Sequence, residues 1–388
     1  MNPPMFPFGS TPGAGTLPGE LLVAQETNPA DAALWAVVLA GGIGSRFWPL
    51  SSPERPKQLL ALVSDRPLIA ETIARLQPLI PPERVLVLTS RDIAAPLHAA
   101  IPEVPTENML VEPRPLGTAA ALAWAASEIE RRTGPETVFC CVHADLAVAF
   151  PEAFRHVLRE ASRLAARDEV LVTVGARPSR PETGFGYIVP DRPLSAHRPM
   201  ESGGACSVRY YVEKPPRERA EELIRAGALW NTGIFVWRTG VVREALERHA
   251  HELAAGFDAL EARDLDRFAL GVRSISLERG LLERSDRLVV VPADFGWDDV
   301  GTWASLRRAR ELDDTGNGAS GRAYFVDASA NVVHADGSAV VLYGVTGMLV
   351  VTLPGLTFVT TLDRAADLKP LLDALPPDIR GRPGKPSR

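Results

Sequence analysis

The chain has 388 residues, 46% of them apolar, more than a single core usually organises, so a large unit with a smaller appendage is expected. Its 42 basic and 48 acidic residues leave a net charge of −6 with no block of Lys or Arg, which argues against nucleic acid as a partner. Cys140 and Cys141 sit inside an apolar run and only one other cysteine exists, so neither a disulfide framework nor a zinc site is expected, and a reducing cytoplasm fits.

Residues 1–32 are rich in Pro, Gly and Thr, without a basic start and apolar stretch, and read as a flexible tail rather than a secretory signal. No later apolar run reaches the roughly 18–20 residues of a membrane span. From Leu34 short apolar runs alternate with longer amphipathic segments: strand 34–40, helix 68–77, strand 84–89, helix 91–100, strand 108–111, helix 117–131, strand 137–142, helix 152–167 and strand 169–175. That rhythm predicts an α/β fold, a Rossmann-like, mostly parallel sheet flanked by helices.

Past Arg177 extended pieces at 184–189 and 206–213 precede helix 216–226, strand 232–237 and helix 240–254, and strand 287–291 with helix 302–312 closes this part. After Asn317 only short strands follow, at 322–327, 331–334, 338–342, 347–352 and 356–361, then a helix at 365–374. They predict a small β domain over 316–376, wound as a coil that could be a left-handed β-helix. The end, 377–388, is Pro- and Gly-laden and expected to fray.

The stretch Leu39-Ala-Gly-Gly-Ile-Gly-Ser-Arg-Phe-Trp-Pro-Leu50, continuing to Pro56-Lys57-Gln58, follows the first strand directly. Gly41, Gly42 and Gly44, with Leu39, Ala40 and Ser45 around them, let bare backbone N–H groups close on phosphate oxygens. The Walker pattern and the dinucleotide fingerprint both fail on spacing; Phe47 stands where the latter needs a small residue. Prolines 49, 53 and 56 forbid a helix right after the glycines, so a long loop can bring Arg46 and Lys57 together. Two cations facing a triphosphate would offset the charge that builds up during attack at the α-phosphorus.

This stretch resembles the signature of nucleotidyltransferases that make sugar nucleotides, particularly the mannose-1-phosphate guanylyltransferases, and the resemblance runs from about Ala36 to Leu375. It implies that 33–315 is the nucleotidyltransferase domain. It also implies that Arg46 and Lys57 bind the triphosphate and the sugar phosphate, with GTP and mannose 1-phosphate as substrates and GDP-mannose and pyrophosphate as products.

Magnesium, the expected cofactor, takes one or two carboxylates plus phosphate oxygens, so acids at strand ends are its candidate ligands. Asp145 follows strand 137–142; Asp299 is selected by resemblance, from the family pattern Trp-x-Asp-Val-Gly-x-Trp within Phe295-Gly-Trp-Asp-Asp-Val-Gly-Thr-Trp303. Asp298 would then play only a supporting part. The competing role for each is a helix cap, before 152 or before 302. His143 reads as a packing residue.

Glu112, with Gly117 and Thr118, lies between a strand and a helix and can line a base pocket, where a carboxylate would accept from guanine's N–H groups. For the sugar, Thr183-Gly-Phe-Gly-Tyr-Ile188, Val212-Glu-Lys-Pro215 and Trp230-Asn-Thr-Gly-Ile-Phe235 match family motifs in order, making Gly186, Glu213, Lys214 and Asn231 the expected contacts. Trp230 and Trp237 read as core.

The chain departs from the family pattern at Pro115-Leu-Gly-Thr-Ala-Ala120, usually Arg-Asn-Thr-Ala-Pro-Ala, and at His143-Ala-Asp-Leu146, usually Pro-Ala-Asp-His. Longer bifunctional relatives carry a cupin isomerase domain; this chain stops near Arg388, and no isomerase activity is expected. A homodimer is compatible with the sequence, and a membrane partner is not expected.

Overall fold

The computed structural model describes residues 34–380 except 43, 44, 196, 197, 199, 201, 202 and 310, with only the backbone described for Ser45 and Ala309. The expected tail at 1–32, Gly44 and residues 381–388 lie outside the described residues.

In chain order the strands are β1 (Trp35–Leu39), β2 (Val85–Ser90), β3 (Met109–Glu112), β4 (Val138–His143), β5 (Ala147–Val148), β6 (Leu171–Ala176), β7 (Tyr187–Pro193), β8 (Cys206–Val212), β9 (Leu229–Arg238), β10 (Leu288–Ala293) and β11 (Trp297–Asp298). The principal helices among them are α1 (Leu68–Leu76), α2 (Arg91–Ala100), α3 (Thr118–Thr133), α4 (Pro151–Arg167), α5 (Arg217–Arg225), α6 (Thr239–His249), α7 (Phe257–Glu261), α8 (Leu265–Gly271) and α9 (Trp303–Ala309).

Nine strands form one sheet in the order β3-β2-β1-β4-β9-β6-β10-β8-β7. Alternation along each strand divides its side chains between two cores. Trp35, Val37, Phe139 and Cys141 face one way, into a core shared with α3 and α6. Ala36, Val38, Cys140 and Val142 face the other, toward α1, α2 and α4. All three cysteines are buried, and burial pushes the Cys140 thiol up to about 12.

The expected mostly parallel sheet needs correction at its centre. β3, β2, β1 and β4 run parallel, as do β6 and β10, but β9 lies antiparallel to both β4 and β6, and β8 is antiparallel to β10 and β7. A buried apolar run reads the same in either direction, so only the route of the chain decides its orientation. The reversal puts the start of β9, with Asn231 beside Gly175 of β6, at the edge where β1 and β4 end.

The C-terminal part holds β12 (Gly318–Ser320), β13 (Ala323–Val326), β14 (Val332–Ala335), β15 (Val340–Tyr343), β16 (Met348–Leu353) and β17 (Leu356–Thr361), then α10 (Lys369–Ala374) and α11 (Pro377–Arg380). β12, β14 and β16 stack in parallel, β13 pairs in parallel with β15, and β17 returns antiparallel to β16. The successive short strands thus coil, with buried Asn317 and Asn331 at successive turns. The Asn331 side-chain Nδ2 donates to Asn317 Oδ1 at 2.9 Å, and Asn331 Oδ1 accepts from the Met348 backbone amide at 2.8 Å. Buried amides are tolerated here because each finds a partner.

The coil is packed against the segment that follows the glycines. Phe47, Trp48, Leu50, Leu60, Val300 and Trp303 share one core with Val332, Leu349, Val351 and Phe358 of the coil. Phe47 meets Trp303 at a ring separation of 5.3 Å, and Trp48 meets Phe358 edge-on at 5.1 Å.

Candidate active site

The parallel pair β1 and β4 ends in register, Leu39 beside His143, and the Ala144 amide donates to the Leu39 carbonyl at 3.0 Å. The glycine loop and Asp145 therefore leave the sheet side by side. The Ala40 carbonyl is fixed by buried Gln58 (2.9 Å) and Thr89 (3.3 Å), which returns the loop toward its own start. Between these anchors the chain makes a short helical turn, Ser45–Phe47, instead of an unstructured loop, and Arg46 stands exposed on it.

Lys57 is the centre of the site. Its side chain is only 7% exposed, and its ammonium donates to Asp145 Oδ2 at 2.9 Å and to the Asp299 carbonyl at 2.9 Å. The two aspartates, remote in sequence, thus meet at one cation. Burial alone would raise the Asp145 carboxyl, but the charges of Lys57 and His143 and the hydrogen bond from Lys57 outweigh it and hold Asp145 below the ordinary carboxylate range. Burial pushes the Asp299 carboxyl above the ordinary carboxylate range; Lys57 opposes the shift and the neighbouring Asp298 adds to it.

Neither aspartate is a helix cap. α4 begins at Pro151 after Phe150, and α9 is capped by Thr302 and Ser305, the Thr302 hydroxyl accepting from the Ser305 amide at 3.2 Å and the Ser305 hydroxyl from the Thr302 amide at 2.8 Å. Asp298 is occupied by Arg308, whose Nε lies 2.9 Å from it.

Two clefts meet at His143 and Asp145. One, of about 340 Å³, is lined by Leu39, Ala40, Gly41, Gly42, Glu112 and Thr118. Among the described residues, its chain neighbours aside, nothing lies within 4 Å of where a Gly42 side chain would start, so the backbone there is open to a ligand. Gly117, at the mouth of α3, has φ +86° and a Cβ would lie 2.6 Å from the Ile275 carbonyl, so only glycine fits. The Thr118 hydroxyl accepts from the Leu277 amide at 2.8 Å, tying the segment before Glu278 to this cleft. Glu112 accepts from the Leu116 amide at 3.3 Å, and burial raises its carboxyl above the ordinary value against the pull of that amide and Arg114.

The second cleft, about 470 Å³, holds Arg46, Lys57, Gly186, Glu213, Lys214, Asn231 and Asp299. Glu213 and Lys214 form an ion pair at 2.7 Å, with Glu213 mostly covered and Lys214 exposed. Glu278, Phe185 and Trp297 also line it. Sequence reading missed these three: Glu278 starts an irregular turn, Glu278–Leu282, without a recognisable motif, although Trp297 stands beside the Asp298-Asp299 pair. Trp230 and Trp237 are buried, as expected of core.

Gly41, Gly42 and Glu112 line one cleft, Lys57, Glu213, Lys214 and Asn231 line the other, and the two share His143 and Asp145, an arrangement that suits transfer of a nucleotidyl group to a second substrate. The chain belongs to the nucleotidyl transferase family, whose pattern residues 35–315 match. It is 32% identical to the alginate biosynthesis protein AlgA of Pseudomonas putida, over 89% of this chain and 72% of that protein. It is likewise 32% identical to the mannose-1-phosphate guanylyltransferase of Escherichia coli K12, over 90% and 75%. A crystal structure from Thermus thermophilus, described as a mannose-1-phosphate geranyltransferase, aligns with a TM-score of 0.79 at 32% identity over 88% of this chain and 98% of that one. Among the described residues no helix is long and apolar enough to cross a membrane.

Proposed function

We propose that the chain makes GDP-mannose and pyrophosphate from GTP and mannose 1-phosphate, by in-line attack of the sugar phosphate on the α-phosphorus of the nucleotide. The observation that carries this reading is the buried Lys57 ammonium of the second cleft, 2.9 Å from the Asp299 carbonyl and 2.9 Å from Asp145, the residue that both clefts share. The nucleotide would lie over Gly41 and Gly42 with its base toward Glu112, Gly117 and Thr118. The sugar would lie among Gly186, Glu213, Lys214 and Asn231.

In this arrangement Lys57 bridges the attacking oxygen and the α-phosphoryl group, and Arg46 steadies the outgoing phosphates at the mouth. Phosphate oxygens and the pyrophosphate leaving group carry the charge, so no covalent intermediate on the protein is required. The donor set fits a divalent cation with a preference for oxygen. Asp145 and Asp299 would supply two carboxylate ligands and substrate oxygens the rest, as suits magnesium. When bound, such an ion would neutralise charge on the reacting phosphates.

The test is a matrix of four nucleoside triphosphates against several hexose 1-phosphates, read as pyrophosphate release with and without Mg2+. GTP with mannose 1-phosphate should be the fastest pair and should stop on chelation. A faster pair elsewhere in the matrix would reassign the substrates, and silence throughout, with sugar nucleotide still bound, would make the chain a binding protein.

A further inference from the structure

Tyr211 lies beneath the sugar cleft, 9% exposed, and does not line it. Its phenol is held in a tight network. The hydroxyl donates to Glu213 Oε2 at 2.5 Å and accepts from Asn231 Nδ2 at 3.3 Å. It therefore spends its one proton on Glu213 and a lone pair on Asn231, the two polar side chains expected to read the hexose. Each partner is fixed on its far side as well: Glu213 Oε1 takes Lys214, while Asn231 Oδ1 accepts from the Gly233 amide at 3.2 Å and from Thr173 at 3.4 Å.

The backbone has been shaped around this hydroxyl. A Cβ on Gly186 would fall 1.8 Å from the Tyr211 oxygen and 2.9 Å from Glu213 Oε2, while the Gly186 carbonyl accepts the Asn231 amide at 2.8 Å. The missing side chain at Gly186 is thus the space that the phenol oxygen fills. Burial, followed by the hydrogen bond to Glu213 and its negative charge, raises the phenol far above its ordinary range, so it remains a donor throughout the working pH range.

We infer that Tyr211 is a positioning residue for sugar recognition: its hydroxyl holds the Glu213 carboxylate and the Asn231 amide at one fixed orientation toward adjacent hydroxyls of a hexose 1-phosphate. The inference rests on the sugar reading of this cleft given above. Without the hydroxyl, both side chains keep their chemistry but lose a shared anchor, and the ordering they need is then lost on every binding event.

The experiment uses the full chain with GTP and mannose 1-phosphate. Tyr211→Phe removes one oxygen and keeps the ring. It should raise KM for the sugar phosphate by about tenfold, the scale of a hydrogen bond to a charged group, while KM for GTP stays put and kcat at saturating sugar changes far less. In a Glu213→Gln background the same change should shrink to about twofold, because the anchored carboxylate is gone. Equal shifts in both KM values, or an undiminished effect in the Glu213→Gln background, would show Tyr211 to be ordinary packing. Turnover by the wild type with an unmoved sugar KM in Tyr211→Phe overturns this inference alone; a wild type that turns over no sugar phosphate overturns the sugar reading with it.

Discussion

Replacing Lys57 by Met keeps most of the length of the side chain and deletes the charge, leaving Asp145 without its ion-pair partner. Removing one partner of a fully buried ion pair costs roughly 3–5 kcal/mol. The Asp145 side chain is 33% exposed, so water reaches the abandoned carboxylate, and the loss should be nearer about 1–2 kcal/mol. At ~2–4 °C per kcal/mol for a sizeable chain, the thermal midpoint should fall by roughly 2–8 °C. Activity should suffer more: deleting one preorganised charge at a phosphoryl centre costs on the order of 10²–10³ in kcat. The double variant Lys57→Met with Asp145→Asn separates the two effects, because it removes the stranded charge. Its thermal midpoint should recover most of the loss in a melt followed by circular dichroism, while pyrophosphate release stays as low or lower. A folded Lys57→Met chain within tenfold of wild-type kcat would refute the assignment of Lys57 to the reacting centre. A double variant less stable than Lys57→Met would refute the pairing argument.

Glu112→Gln should lower the preference for GTP over ATP by about tenfold or more, since a carboxylate that accepts from two guanine N–H groups is replaced by an amide presenting one acceptor; an unchanged ratio of kcat/KM values would remove Glu112 from base selection. Phe358→Ala should cost about 3–5 kcal/mol in chemical denaturation, because Phe358 is buried and packs edge-on against Trp48. It should also lower activity, since that core supports the segment carrying Lys57, and a loss of stability with full activity would mean that the coil does not brace the site. Away from the clefts, the Glu252 carboxyl is held down at about 2, chiefly by its hydrogen bonds with Arg284, against an ordinary 4.5. A depressed carboxyl stabilises above its unfolded value and loses that contribution as the pH falls. The gap in thermal midpoint between wild type and Arg284→Ala should therefore be open at pH 7 and close progressively from 4.5 toward 2; a gap independent of pH would contradict the pairing.

Much of the fold could be read along the chain because its signals are local. The run Trp35–Leu39, the α3 segment Thr118–Thr133 and the short strands after Gly318 each carry a periodicity and turn residues that a few neighbours suffice to reveal. The weakly apolar helices at Phe257–Glu261 and Leu265–Gly271 and the turn at Glu278–Leu282 escaped, because short segments carry too few positions to define a face. The same limit hid Glu278 and Tyr211. One lies on an irregular turn, and the other differs from its strand neighbours only in what its hydroxyl meets.

The sequence by itself determined which chemistries were present: glycines that leave amides bare, two cations on a proline-broken loop, acids after strand ends, and polar groups in motifs shared with a family. What only the tertiary structure decided is which of them meet. Lys57 reaches Asp299 across 242 positions of chain, and Asn231 reaches the edge where β1 and β4 end only because β9 runs against its neighbours. Local patterns encode the conformation of a segment, but strand order and direction follow from burying both faces of a sheet at once, and that condition belongs to the whole chain.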